Sequence, residues 1–103
     1  MAWTHNSVND PVRRAAEMVD EAVTDYRNRG YTREHAVEQA ALALDLPKRR
    51  IKALLYGEAF SIAADEYHRI RNRFLAHLDE QADHLARRSA EARARRKQME
   101  LGI

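Results

Sequence analysis

Residues 37–57 read VEQAALALDLPKRRIKALLYG, and the spacing within this stretch decides the fold. Two short apolar-periodic segments lie on either side of a tight Asp45-Leu46 turn, and the second opens with Pro47-Lys48-Arg49-Arg50. Two helices that cross steeply need a small residue at their closest approach, which Ala41 supplies. Leu44, Leu46, Ile51 and Leu54 are spaced to close the angle from inside as one core. The turn residue of such a pair takes a left-handed conformation, which is cheapest for Gly and next best for Asp or Asn. Asp45 occupies that place. Pro47 suits the first turn of the following helix, where its missing N–H is not needed, and Gly57 is placed to end it.

This spacing resembles the helix-turn-helix motif of phage repressors and many small bacterial regulators. The resemblance covers about a fifth of the chain and implies that the second helix enters the major groove of double-stranded DNA. Carried onto this sequence, its outward face is Lys48, Arg49, Lys52, Ala53 and Tyr56, with Arg50 at its edge. Arg33, at the start of the preceding helix, becomes a phosphate contact beside the backbone N–H groups there. Lys and Arg neutralise phosphates, and Arg can also pair bidentately with guanine. The competing reading is an exposed amphipathic helix that happens to be basic. Charges placed directly after the turn, at the end a reading helix inserts, favour DNA. Tyr56 reads equally as a DNA contact or as a core-facing ring with its hydroxyl at the edge.

Composition narrows the rest. With 103 residues, 18 of them Ala and only 3 Gly and 2 Pro, helix is the class that fits, because little turn chemistry is left for hairpins. The absence of Cys excludes disulfides, thiolate catalysis and Cys-based zinc sites. No segment reaches the run of about 18 apolar residues that a membrane span needs, and MAWTHNSVND lacks the pattern of a secretory leader. The expectation is a cytoplasmic protein with no membrane partner. The net charge is +2, but unevenly spread: residues 32–57 carry a net +2, residues 58–86 a net −3 and residues 87–103 a net +4. Positive charge gathers on the proposed reading helix and on the tail.

Along the chain, Asp10 caps a first helix with Pro11 at its first position and Val12, Ala15, Val19, Ala22, Val23 and Tyr26 as its apolar stripe. Arg29-Gly30 ends it. Thr32 caps a second helix that turns Ala36, Val37, Ala40, Ala41 and Leu44 inward, with His35 where a capping box would want Glu or Gln. Ser61 is the candidate cap of a last helix that meets no Gly or Pro before Gly102; continuous, it would extend about 55 Å. Its stripe of Ile62, Tyr67, Ile70, Phe74, Leu78, Ala82 and Leu85 averages close to the helical period, as in an amphipathic helix rather than a zipper. Its middle turns, past the reach of a small core, would expose Phe74, Leu78 and Leu85, and contiguous apolar patches mark partner surfaces. A homodimer through Ile70, Phe74, Leu78 and Leu85 is the simplest answer; a different protein partner on this helix is the other. After Leu85 the segment RRSAEARARRKQ can be helical, with Asp83–Arg87 and Glu91–Arg95 pairs, but cannot bury a core. It reads as a frayed or projecting basic arm.

The expected architecture is therefore all-α: a helix-turn-helix domain of about three short helices over residues 1–60, then a long C-terminal amphipathic helix over 61–103 with a basic tail. Catalysis finds little support, since no nucleophile-elbow serine and no Gly-rich phosphate loop are present. His77 and His84 could share a face with Glu80 nearby, but nothing beyond these three completes a metal shell; His84 reads instead as a surface partner of Glu80. Asp79, Glu80 and Asp83 form an acidic cluster of the kind usual on a solvated face. Trp3 and Phe60 read as core plugs. No cofactor is implied. The leading function is a small dimeric DNA-binding repressor, not an enzyme. The alternatives are a DNA recognition subunit resembling phage small terminases, and a protein-binding module such as an antitoxin or antiactivator.

Overall fold

The computed structural model describes residues 10–102; Trp3 and His5 lie outside them. Four helices follow one another: α1 (Pro11–Asn28), α2 (Arg33–Leu44), α3 (Lys48–Leu55) and α4 (Ala64–Glu100). The fold is all-α, three short helices followed by one long one.

Local chemistry explains the boundaries. The Asp10 carboxylate accepts from the Val12 N–H at 2.9 Å, and Pro11 opens α1. The Thr32 hydroxyl accepts from the His35 N–H, satisfying one of the free donors of α2. Helices α1, α2 and α3 then end in the same way, with a left-handed residue at Gly30, Asp45 or Gly57. The N–H after that residue returns to a carbonyl five residues back: Tyr31 to Tyr26, Leu46 to Ala41, Glu58 to Ala53. This is the Schellman geometry, which satisfies the last carbonyls and brings an apolar residue after the turn against one in the last helical turn. Tyr31 meets Tyr26 edge-on at 5.7 Å in just this relation. Asp45, at φ 54°, is the only non-glycine residue with positive φ among those described. Two expected caps fall elsewhere. Pro47 precedes α3 rather than opening it, and α4 starts after Ala63 without a side-chain cap. Ser61 lies before that start and lends its carbonyl to Arg50 instead.

The core joins Val12, Ala15, Val19, Ala22 and Val23 of α1, Ala36, Val37, Ala40 and Leu44 of α2, Ile51 and Leu54 of α3, and Ile70 and Phe74 of α4. Helix α1 is its hub and packs on all three others, while α2 packs on α3 and α4; among the described residues the backbones of α3 and α4 do not approach closely, and the Arg50–Glu66 ion pair links the two. Ala36 and Ala40 are fully buried, whereas Ala41 is half-buried at the mouth of a surface groove with Leu42, Leu46 and Pro47. The tightest small-residue packing on α2 is thus at Ala36 and Ala40 rather than at Ala41. Phe60, expected in the core, is 86% exposed; in the α3–α4 loop Ala59 takes the buried place.

Helix α4 departs most from expectation. Its inward positions are Tyr67, Ile70, Phe74, His77, Gln81 and His84, so beyond Phe74 the core-facing stripe turns polar. Ile70 and Phe74 are buried in the chain's own core and Leu78 is half-buried against it, so these three are not the open seam expected of them. The reason is that α1 runs alongside α4 and offers polar partners, Asp25 and Arg29, to its middle turns. From Leu85 to Gly102 every residue is exposed. The radius of gyration of 17.5 Å and the longest dimension of 66 Å exceed the roughly 13 Å radius of a compact chain of this length. The tail of α4 projects from the core as a helix; its ion pair is Arg96–Glu100 at 3.1 Å, in place of the expected Asp83–Arg87 and Glu91–Arg95.

Candidate nucleic-acid interface

Helix α3 is held to the core by Ile51 and Leu54 and by the turn at Asp45, which leaves its opposite face outward. That face carries Lys48, Arg49, Lys52 and Tyr56, four of the residues read from the sequence. Arg49 is exposed, with neither a hydrogen bond nor an ion pair among the described residues. Tyr56 is half exposed, and its hydroxyl accepts from Arg33 Nε and Nη2 at 3.3 and 3.1 Å, with the guanidinium 5.4 Å from the ring centre. Arg33 and Tyr56 therefore form one unit that ties the start of α2 to the end of α3.

The remaining cations are occupied. Lys48 pairs with Glu34 and, at 3.4 Å, with Glu38; Lys52 lies 3.8 Å from Glu34. The Lys48 hydrogen bond holds the Glu34 carboxyl below its usual range, and Glu34 raises Lys48 in turn. These groups are exposed, so the pairs are weak and exchangeable. Arg50 is different. Its guanidinium grips both oxygens of Glu66, at 3.0 and 2.8 Å, and also donates to the Ser61 carbonyl. The pair is mostly shielded from water and fastens the α3–α4 loop, so Arg50 is a structural clamp, not a free cation. Ala53 is half-buried against the core and contributes little outward surface.

A second polar cluster lies between α1 and α4. Arg29 donates to Asp25 at 2.7 Å and to both oxygens of Glu80 at 2.7 and 3.0 Å, while Gln81 donates to the other oxygen of Asp25 at 3.0 Å. His77 is buried with its Nε2 3.1 Å from Asp25, without the alignment of a hydrogen bond. Its ring packs 5.2 Å from Tyr26. Glu80 draws the Arg29 guanidinium pKa up, and Arg29 holds the Glu80 carboxyl down. Asp25, His77 and Glu80 offer three ligand atoms within 4.8 Å of one another, but the guanidinium already binds both carboxylates there. The cluster suits a fixed internal cation rather than a metal ion. Glu80 faces Arg29 and not His84, whose Nε2 is buried without a hydrogen-bond partner.

Sequence reasoning missed Glu34, Glu38 and Glu66 as counter-ions; it missed Asp25, and it read Arg29 only as part of the end of the first helix. A carboxylate on the α1 stripe, at Asp25 beside Val23 and Tyr26, was the one signal available for the second cluster. No helix among the described residues is long and apolar enough to cross a membrane. No protein-family model, curated protein or solved structure matches the chain.

Proposed function

We propose that the chain binds double-stranded DNA through α3, as a small dimeric regulator that occludes its operator. The observation that carries this reading is the exposed, unpaired Arg49 at the start of a short helix, directly after a left-handed turn and flanked by Lys48 and Lys52. A guanidinium in that position is free to reach a guanine edge, while Lys48, Lys52 and Arg33 supply phosphate contacts. Glu34 and Glu38 compete for Lys48 and Lys52, so part of the binding energy goes into exchanging those partners. A phosphate offers the same lysines a stronger field, because a duplex presents many charges and binding releases its counterions.

Genomic-fragment selection with the purified protein, followed by fluorescence anisotropy on a selected duplex, tests the reading. Affinity should fall as salt rises, and Arg49→Ala should weaken it by about 1–3 kcal/mol, roughly 5- to 150-fold. Discrimination at the contacted base pair should relax, while the slope against salt, set by the phosphate contacts of Lys48, Lys52 and Arg33, should change little. The fold is expected to be untouched, since Arg49 supports nothing else. Salt-insensitive binding, or an Arg49→Ala variant of full affinity, removes α3 from the interface. The neutralised lysines and the 74% exposed Leu42 on α2 favour a second reading, a protein-binding module; absence of duplex binding at low salt would select it.

A further inference from the structure

The exposed side of α4 carries a second apolar stripe, one residue out of phase with the stripe that faces the core. Leu75, Leu78, Ala82, Leu85, Ser89, Ala92, Arg96 and Met99 recur at alternating three- and four-residue steps, the spacing of a coiled-coil seam; Leu78, half-buried against the core, stands at its edge, and Ser89 and Arg96 are its polar positions. Leu75 is 44%, Leu85 58% and Met99 72% exposed. The small residues Ala82, Ser89 and Ala92 let a facing helix approach closely. A helix that projects alone is marginal in water, because its stability comes mainly from packing one face. Among the described residues nothing covers this one from Leu85 to Gly102.

Charge along the same segment is divided in two. Residues 75–86 hold Asp79, Glu80 and Asp83 with no Lys or Arg, and residues 87–97 hold six Lys or Arg with Glu91 alone opposing them. Two α4 helices laid parallel would set basic block against basic block. Laid antiparallel about a two-fold axis near Arg87, each acidic block meets a basic one. The same axis maps the stripe onto itself: Leu85 faces Ser89, Ala82 faces Ala92, Leu78 faces the stem of Arg96, and Leu75 faces Met99. At the core end the α1–α4 groove is lined by Met18, Tyr67, Phe74 and Leu75, with Glu17 and Glu21 balanced by Arg14 and Arg71. It lies where the exposed Met99 of the other chain would arrive, so the apolar match and not charge recommends it.

We propose that this stripe, and not the Ile70–Phe74 face, is the seam of an antiparallel, two-fold symmetric pairing with α4 of a second copy, centred near Arg87. It specifies the assembly half of the functional reading above and is tested without DNA, so it can fail while DNA binding stands, or stand while that fails. The two reading helices are then carried at opposite ends of a shared rod.

The chain has no Cys, which permits a direct orientation test on the full-length protein. Wild type should sediment as a dimer. Differently tagged Ala82→Cys and Ala92→Cys chains, mixed in a glutathione redox buffer, should form a mixed disulfide in about tenfold excess over either self-pair, because only the facing positions come within bonding reach. Leu85→Asp should sediment as a monomer with its cooperative thermal transition retained. A monomeric wild type, self-disulfides as abundant as the mixed one, no disulfide at all, or a dimeric Leu85→Asp would each overturn the proposal.

Discussion

Asp45 shows how one residue can serve a turn at a measurable cost. It takes the left-handed conformation that Gly30 and Gly57 take at the equivalent points of α1 and α3, and a Cβ makes that conformation more expensive. Its carboxylate gives little in return: Arg73 is 3.7 Å away with both side chains more than half exposed. Asp45→Gly is therefore expected to stabilise the protein by about 0.5–1 kcal/mol, a rise of roughly 2–6 °C in Tm by thermal melting. Arg50 stands at the other extreme. Arg50→Ala removes three charge-assisted hydrogen bonds and strands Glu66, so a loss of about 1–3 kcal/mol is expected in denaturant titration. Arg50→Lys should recover only part of it, because an ammonium cannot span both Glu66 oxygens and the Ser61 carbonyl. Arg49 and Arg50 are adjacent in sequence yet divide cleanly into a free cation and a clamp. Their variants should separate binding from stability.

Between elements, the α1–α4 contact is decided by the Asp25–Arg29–Glu80 cluster rather than by apolar packing alone. The Glu80 carboxyl is held below its ordinary value of 4.5 by the Arg29 hydrogen bonds. A lowered folded-state pKa means that its contribution is fully present above the ordinary value and disappears as pH falls through the lowered one. Glu80→Gln should thus melt below wild type at neutral pH, and the difference between the two Tm values should close in acid, well under pH 4.5. A difference that stays constant down to that range would mean that the Arg29–Glu80 pair contributes no pH-linked stability. How much of α4 was legible follows from the same cluster. Its helical span could be read from the long run without Gly or Pro, but its inward face could not. Ala82 and Leu85 are better apolar candidates than Gln81 and His84, yet they face outward; the Asp25 carboxylate of α1 accounts for Gln81 and lies beside His77, while the structure gives the buried His84 Nε2 no hydrogen-bond partner.

At the scale of the whole molecule, a core that ends near Gln81 carries a helical rod that continues to Glu100. From Leu85 to Gly102 no side chain is buried, so this part of the tail adds nothing to the packing of the core within one chain. A chain ending at Ala86 should accordingly keep a cooperative thermal transition, sediment as a monomer, and bind a two-site duplex at least about tenfold more weakly, because the linked second binding event is lost. A truncated chain that still dimerises would place the assembly surface within the core.

What the sequence determined by itself is the set of elements and most of their ends, the start of α4 being the exception, three residues past the expected Ser61 cap. Asp10, Thr32, Gly30, Asp45 and Gly57 act on backbone groups within about five residues of themselves, so their effect is written locally, and the outward cationic face of α3 follows from its period. What only tertiary structure decided is which charges remain available. Lys48 finds Glu34 across 14 positions, Arg50 finds Glu66 across 16, and Arg29 finds Glu80 across 51. Such pairs form because packing brings distant surfaces within hydrogen-bond reach, and no local pattern encodes that distance.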